Sequence, residues 1–115
     1  MEDTLVFKIV GNEYQIKFPT VGKFRRIEAL KQALSNGMYS ALVKTNTESA
    51  QSAADMIDIE SIITIVCPPL MKDLKCESFE DLGMKDYSEL KVAFENQFMP
   101  WWNGILKEVG LSFEK

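Results

Sequence analysis

Side chains able to do chemistry are few in this sequence, and they are widely spaced. The chain of 115 residues contains no histidine. That removes Ser-His and Cys-His nucleophile pairs and every histidine-ligated metal site. The two cysteines, Cys67 and Cys76, cannot make a four-ligand zinc site alone. The N-terminal stretch "MEDTLVFKIVG" is acidic and then strand-like, so it reads as neither a signal nor a transit peptide. Without a signal the two thiols read as reduced, with Cys67 a buried apolar residue beside Pro68. Asp55 and Asp58 are three residues apart. At a helix start such a pair suits the macrodipole, so it reads as a cap and not as a general acid or metal ligand. The six glycines are dispersed, and neither GxGxxG nor GxxxxGK occurs. Serine and threonine nucleophiles have no evident base. The sequence therefore reads as that of a non-enzymatic protein, with no catalytic residue, cofactor or metal.

Two other groups of residues suit binding. Between Lys17 and Gln32 stand five bases (Lys17, Lys23, Arg25, Arg26, Lys31) and one acid, Glu28. That segment carries +4 in a chain whose net charge is -4, which leaves -8 on the remainder. Both arginines lie in it. A basic helix can meet phosphates, but the chain is acidic overall and no nucleic-acid-binding motif surrounds the cluster. The reading is a solvated face or a contact for an acidic patch on a protein, with Lys23, Arg25 and Arg26 the partner-binding residues. Charge of both signs also allows pairing between subunits, so a homo-oligomer is expected. The second group is aromatic. Trp101 and Trp102 are adjacent and point about 100° apart on a helix. Trp101 shares a phase with Leu90, Phe94 and Ile105, which predicts a core position. Trp102 falls beside Phe98 and Val109 at the margin, which predicts an exposed patch of Phe98, Trp102 and Val109 covered by a partner.

The elements that must position these residues follow from periodicity. In "TLVFKIVGNEYQIKF" two alternating runs flank Gly11-Asn12, which predicts a hairpin over residues 4–18 with a type II′ turn. That turn pairs Ile9 with Tyr14, Phe7 with Ile16 and Leu5 with Phe18 on one face. Thr20 is placed to cap a helix over about 21–35, with Phe24, Ile27, Leu30 and Leu34 on one side and Asn36-Gly37 as its stop. "MYSALV" is ambiguous. "KTNTESAQS" is polar and aperiodic, which predicts a mobile loop over about 44–52. Ser52 and Asp55 frame a capping box for a helix over about 53–67, which Cys67-Pro68-Pro69 stops or redirects. Ser78–Asp81 suits a short turn, and Asp86–Glu89 opens a last helix over about 87–109 with a kink at Pro100. No apolar run approaches the ~20 residues that span a bilayer. One domain over 1–115 is expected, of class α+β: an N-terminal two-stranded β-hairpin followed by three to four helices.

This layout resembles the tail assembly chaperones of long-tailed bacteriophages. The resemblance rests on the hairpin "VFKIVGNEYQIKF", the basic helix "KFRRIEALKQAL", the stretch "CPPLMKDL", and "SFEDLGMKDYSELKVAFENQFMPWW" before an aromatic C-terminal helix. It covers most of the chain in outline. It implies a non-enzymatic protein that binds the tape-measure protein, or tail-tube subunits, in the host cell cytoplasm. Because "SFEK" closes the sequence without a tail extension, the resemblance reads this as the short form of such a chaperone. The alternatives are a small virion component, such as a head-tail or baseplate adaptor, and a small nucleic-acid-binding regulator. The partners expected are proteins and copies of the chain itself, not membranes or nucleic acid.

Overall fold

The computed structural model describes residues 3–111. Met1-Glu2 and the closing "SFEK", read above as a plain start and a short-form end, lie outside the described residues. The chain forms the expected α+β arrangement, an N-terminal antiparallel hairpin followed by helices. Strands β1 (Thr4–Ile9) and β2 (Asn12–Lys17) alternate strictly: Phe7, Ile9, Tyr14 and Ile16 are buried, while Val6, Lys8, Glu13 and Gln15 face outward. The face is the one expected, but the register is not. Phe7 lies opposite Tyr14, Leu5 opposite Ile16, and Ile9 opposite Asn12. The turn is Val10-Gly11, with φ of 46° and 78°, not Gly11-Asn12. Positive φ at both central residues gives the type I′ turn, whose twist matches that of paired strands. Moving the loop by one residue shifts the pairing by two, so every side chain keeps its face. The shift also sets Lys8 opposite Glu13, with Nζ and Oε1 3.8 Å apart.

The first helix, α1 (Val21–Leu34), begins where expected, with Thr20 Oγ1 accepting from the Lys23 N–H at 3.3 Å. It ends on left-handed Asn36 and Gly37, and the Gly37 N–H returns to the Gln32 carbonyl at 2.8 Å. "MYSALV" resolves into a short helix, α2 (Tyr39–Lys44). The expected loop over 44–52 is largely helical: α3 (Glu48–Val66) starts five residues before the predicted 53, capped by Thr47, whose Oγ1 accepts from Ala50 at 3.2 Å. Glu48, Ser49, Gln51 and Ser52 are polar and exposed in its first turns, which a hydrophobic pattern cannot reveal. Asp55 and Asp58 are therefore in the body of α3 and do not cap its start. Cys67 interrupts the helix with non-helical angles, φ -143° and ψ 62°, and Pro68 opens α4 (Pro68–Asp73), the helix position that tolerates proline best. A 3-10 turn follows at Phe79–Asp81, with Ser78 as its cap and the Phe79 N–H on Glu60 at 3.0 Å.

The predicted last helix is α5 (Met84–Ala93), a π-helical turn (Phe94–Phe98) and α6 (Met99–Glu108) in unbroken succession. The Met99 N–H reaches back to Phe94, and Pro100 follows directly. The wide turn stands where a kink was expected. One helix is long enough to act as a hub: α3 packs against α1, α2 and α4. The hairpin packs instead on α5 and the π turn through β1. Phe7, Ile16, Ile27, Ile63, Leu70, Leu90 and Phe98 are the most completely buried apolar side chains. No helix of the described residues is long and apolar enough to cross a membrane.

Candidate protein-binding surface

The six residues expected to bind partners separate into two groups. Phe98 is fully buried and Trp102 is 6% exposed, so neither is available on the chain's surface. Trp101 is the more exposed indole. The expectation is reversed, and the π turn is the reason. From Leu90 the buried residues advance in fours through Phe94, Phe98, Trp102 and Leu106. Four residues overshoot a turn of α-helix by about 40°, so such a row should wind away from a fixed neighbour. A turn bonded to the fifth residue is wider and takes back most of the overshoot. Trp102 then lies between three phenylalanines: its ring is 4.8 Å from Phe18, 5.8 Å from Phe24 and 5.3 Å from Phe98. Trp101 meets Phe18 and Phe98 edge-on at 5.7 and 5.4 Å. Val109 is exposed, as expected, but without Phe98 and Trp102 it does not extend to an aromatic patch.

Lys23, Arg25 and Arg26 all lie on the exposed side of α1. None of the three forms an ion pair among the described residues. Gly22, Ala29 and Ala33 share that side, so the surface between the bases is low and open to an approaching partner. Lys31 leaves the group. It turns inward to Glu28 at 2.9 Å and Asp58 at 3.4 Å, with its ammonium 5.3 Å from the centre of the Tyr39 ring. Glu28, the one acid of the segment, is thus engaged by Lys31, and it does not neutralise the arginines.

Asp58 does not play the cap role expected of it. It is a buried carboxylate, accepting from the Tyr39 hydroxyl at 2.5 Å and holding Lys31. Together they tie α1, α2 and α3. Burial, with the Asp58 carboxylate second, pushes the Tyr39 hydroxyl far above its ordinary value. Tyr14 is raised to about 12 by burial and by Asp73, to which it donates at 2.5 Å. Tyr87 reaches about 12 through burial, with Asp55, Glu95 and Asp58 adding to it. The Tyr14 and Tyr39 hydroxyls serve as donors to the Asp73 and Asp58 carboxylates, whereas the Tyr87 hydroxyl has no hydrogen-bond partner among the described residues. Burial likewise raises both thiols, Cys67 and Cys76, away from the reactive thiolate. A cleft of about 300 Å³ lies beside Tyr14 and Asp73, lined also by Ile9, Val10, Leu70 and Glu89. Among the described residues no three metal-ligating side chains converge.

The sequence carries a sign of this network. Lys31 is in phase with Ile27 and Leu34, and Asp58 with Ile62, so each is a charge at a core position of its helix. Two such charges on neighbouring helices mark a buried pair. Comparison with known proteins adds no assignment: no family model, no curated protein and no solved structure matches the chain.

Proposed function

We propose that this protein is a non-enzymatic assembly factor that binds an acidic surface of a protein partner through α1, and that it serves as a bacteriophage tail assembly chaperone. The observation that carries the reading is the open basic side of α1, where Lys23, Arg25 and Arg26 have no ion-pair partner among the described residues of an acidic chain. Complementary charge steers association and selects partners, and arginines suit carboxylates because their donors bind bidentately. The tail-assembly reading is supported by the resemblance in the hairpin, the basic helix and the "SFEDLGMKDYSEL" stretch. On that reading the partner is the tape-measure protein or the tail-tube subunit, met in the host cell cytoplasm.

Co-expression with tape-measure and tail-tube proteins from the same genome tests it. A complex should form with one of them, and Arg25→Glu/Arg26→Glu should weaken it by about tenfold or more. The chain should be present in infected cells and missing from purified particles. Failure to bind either protein overturns the tail-assembly reading. Stoichiometric presence in particles would instead indicate a virion adaptor. Salt-dependent binding to duplex nucleic acid, lost in the same double variant, would indicate a regulator.

A further inference from the structure

The hairpin has two edges, and among the described residues hydrogen bonds from the rest of the fold reach one of them. On the β1 side, Gln97 of the π turn binds the strand like a neighbouring peptide. Its Oε1 accepts from the Lys8 N–H at 2.8 Å, and its Nε2 donates to the Lys8 carbonyl at 2.7 Å. Lys8 therefore points both backbone groups away from β2, and Lys8–Glu13 is a pair without mutual backbone bonds. Alternation along β2 then directs the backbone groups of Glu13, Gln15 and Lys17 outward, to the other edge. Among the described residues nothing hydrogen bonds to them there. Their side chains are exposed as well. A two-stranded sheet is marginal alone, and an open edge is a template for another strand.

The sequence of that edge is complementary to itself. We propose that two copies of the chain pair through β2, antiparallel about a two-fold axis at Gln15, to form a four-stranded sheet ordered β1-β2-β2-β1. In this register Glu13 lies opposite the second copy's Lys17, Gln15 opposite the second copy's Gln15, and Lys17 opposite the second copy's Glu13. All three are residues whose backbone groups point outward, so each pair exchanges two bonds, about six in all. Charged residues on an edge ordinarily repel a chance strand. Here a two-fold register satisfies both charges, and its neighbours on either side would place Glu13 against Gln15 or leave Lys17 unmatched. Glu13 would then stand between its own Lys8 and the second copy's Lys17, a lysine–glutamate–lysine row across the sheet. The two-fold is perpendicular to the sheet, so the buried faces of both hairpins, carrying Tyr14 and Ile16, stay on the side their helices cover. Pro19 has no N–H to give and ends the pairing on each side.

The pairing does not depend on the tail-assembly reading and involves none of the α1 arginines. It is tested on the full chain by sedimentation across a concentration series at low salt. The wild type should be a dimer. Gln15→Lys sets like charges face to face at the axis and should weaken the dimer at least tenfold, as should Gln15→Glu. An equimolar mixture of the two variants should restore it. Gln15 is exposed and has no side-chain partner among the described residues, so thermal melts of both variants should match the wild-type monomer. Amide exchange at Glu13, Gln15 and Lys17 should slow as protein concentration rises. A wild type that stays monomeric throughout overturns the proposal. So does a Gln15→Lys variant that dimerises as well as the wild type, or a dimer broken by Arg25→Glu/Arg26→Glu and indifferent to Gln15.

Discussion

At the scale of single residues, the informative side chains are polar atoms in apolar surroundings. The Tyr87 hydroxyl is buried and has no hydrogen-bond partner among the described residues. The Tyr39 hydroxyl is bonded to a buried carboxylate that also holds Lys31. The same substitution should therefore act in opposite directions. Tyr87→Phe removes an unpaired group and its desolvation cost, and should raise stability by about 1 kcal/mol. Tyr39→Phe removes one donor from Asp58 and should lower stability by about 1–3 kcal/mol, since bonds to charged groups are the stronger ones. Denaturant melts of the two variants decide it, and a loss in both would mean that Tyr87 has a partner in solution. Neither role can be read from residue type. Tyr39 lies in a stretch with no clear periodicity, and what distinguishes the two hydroxyls is three-dimensional.

At the scale of elements, periodicity was enough wherever one period held throughout. The hairpin face, the Thr20 cap, the Asn36-Gly37 stop and the break at Cys67-Pro68 were all legible, because each depends on neighbours in sequence. The register was not, since Gly11 can serve either turn and the choice rests on which cross-strand pairs result. The tryptophans show a stronger version of the same limit. A stripe drawn at an unvarying 3.6 residues per turn selects Trp101, but five residues of π geometry shift the later part of the helix so that Trp102 is inside. Trp102→Ala should cost about 3–5 kcal/mol, the range for truncating a buried tryptophan. Trp101→Ala should cost less, as this indole keeps part of its surface in water. Equal losses in urea melts would contradict the inward shift. The hairpin turn offers a gain instead: Val10 is β-branched at positive φ and 74% exposed. Val10→Asn creates the Asn-Gly pair favoured in type I′ turns and should add about 1 kcal/mol. If the melt is unchanged or lower, Val10 is held by something beyond the turn.

At the scale of the whole molecule, the three tyrosines hold three different seams. Tyr14 joins β2 to α4 through Asp73, Tyr39 joins α2 to α3 through Asp58, and Tyr87 fixes α5 in the core. All three have hydroxyls raised above the ordinary 10, Tyr14 and Tyr87 to about 12. The folded state therefore keeps protons that the unfolded chain gives up. A group raised on folding contributes fully below its unfolded value and loses that contribution as pH climbs toward its folded one. Stability should thus be flat with respect to these groups up to about pH 10 and fall steadily between about 10 and 12. The fall should be cooperative, because each tyrosinate would be formed inside a packed seam and facing a carboxylate. Tyr14→Phe separates the two contributions of that residue. It should lower stability at neutral pH by about 1–2 kcal/mol, through the lost bond to Asp73. It should also make the alkaline decline shallower, since one of the three protons is no longer at stake. Urea midpoints at pH 8 and 11, for wild type and variant, give both quantities. If the two proteins lose the same amount between those pH values, Tyr14 ionises without cost, and the seam between the hairpin and α4 is open to water.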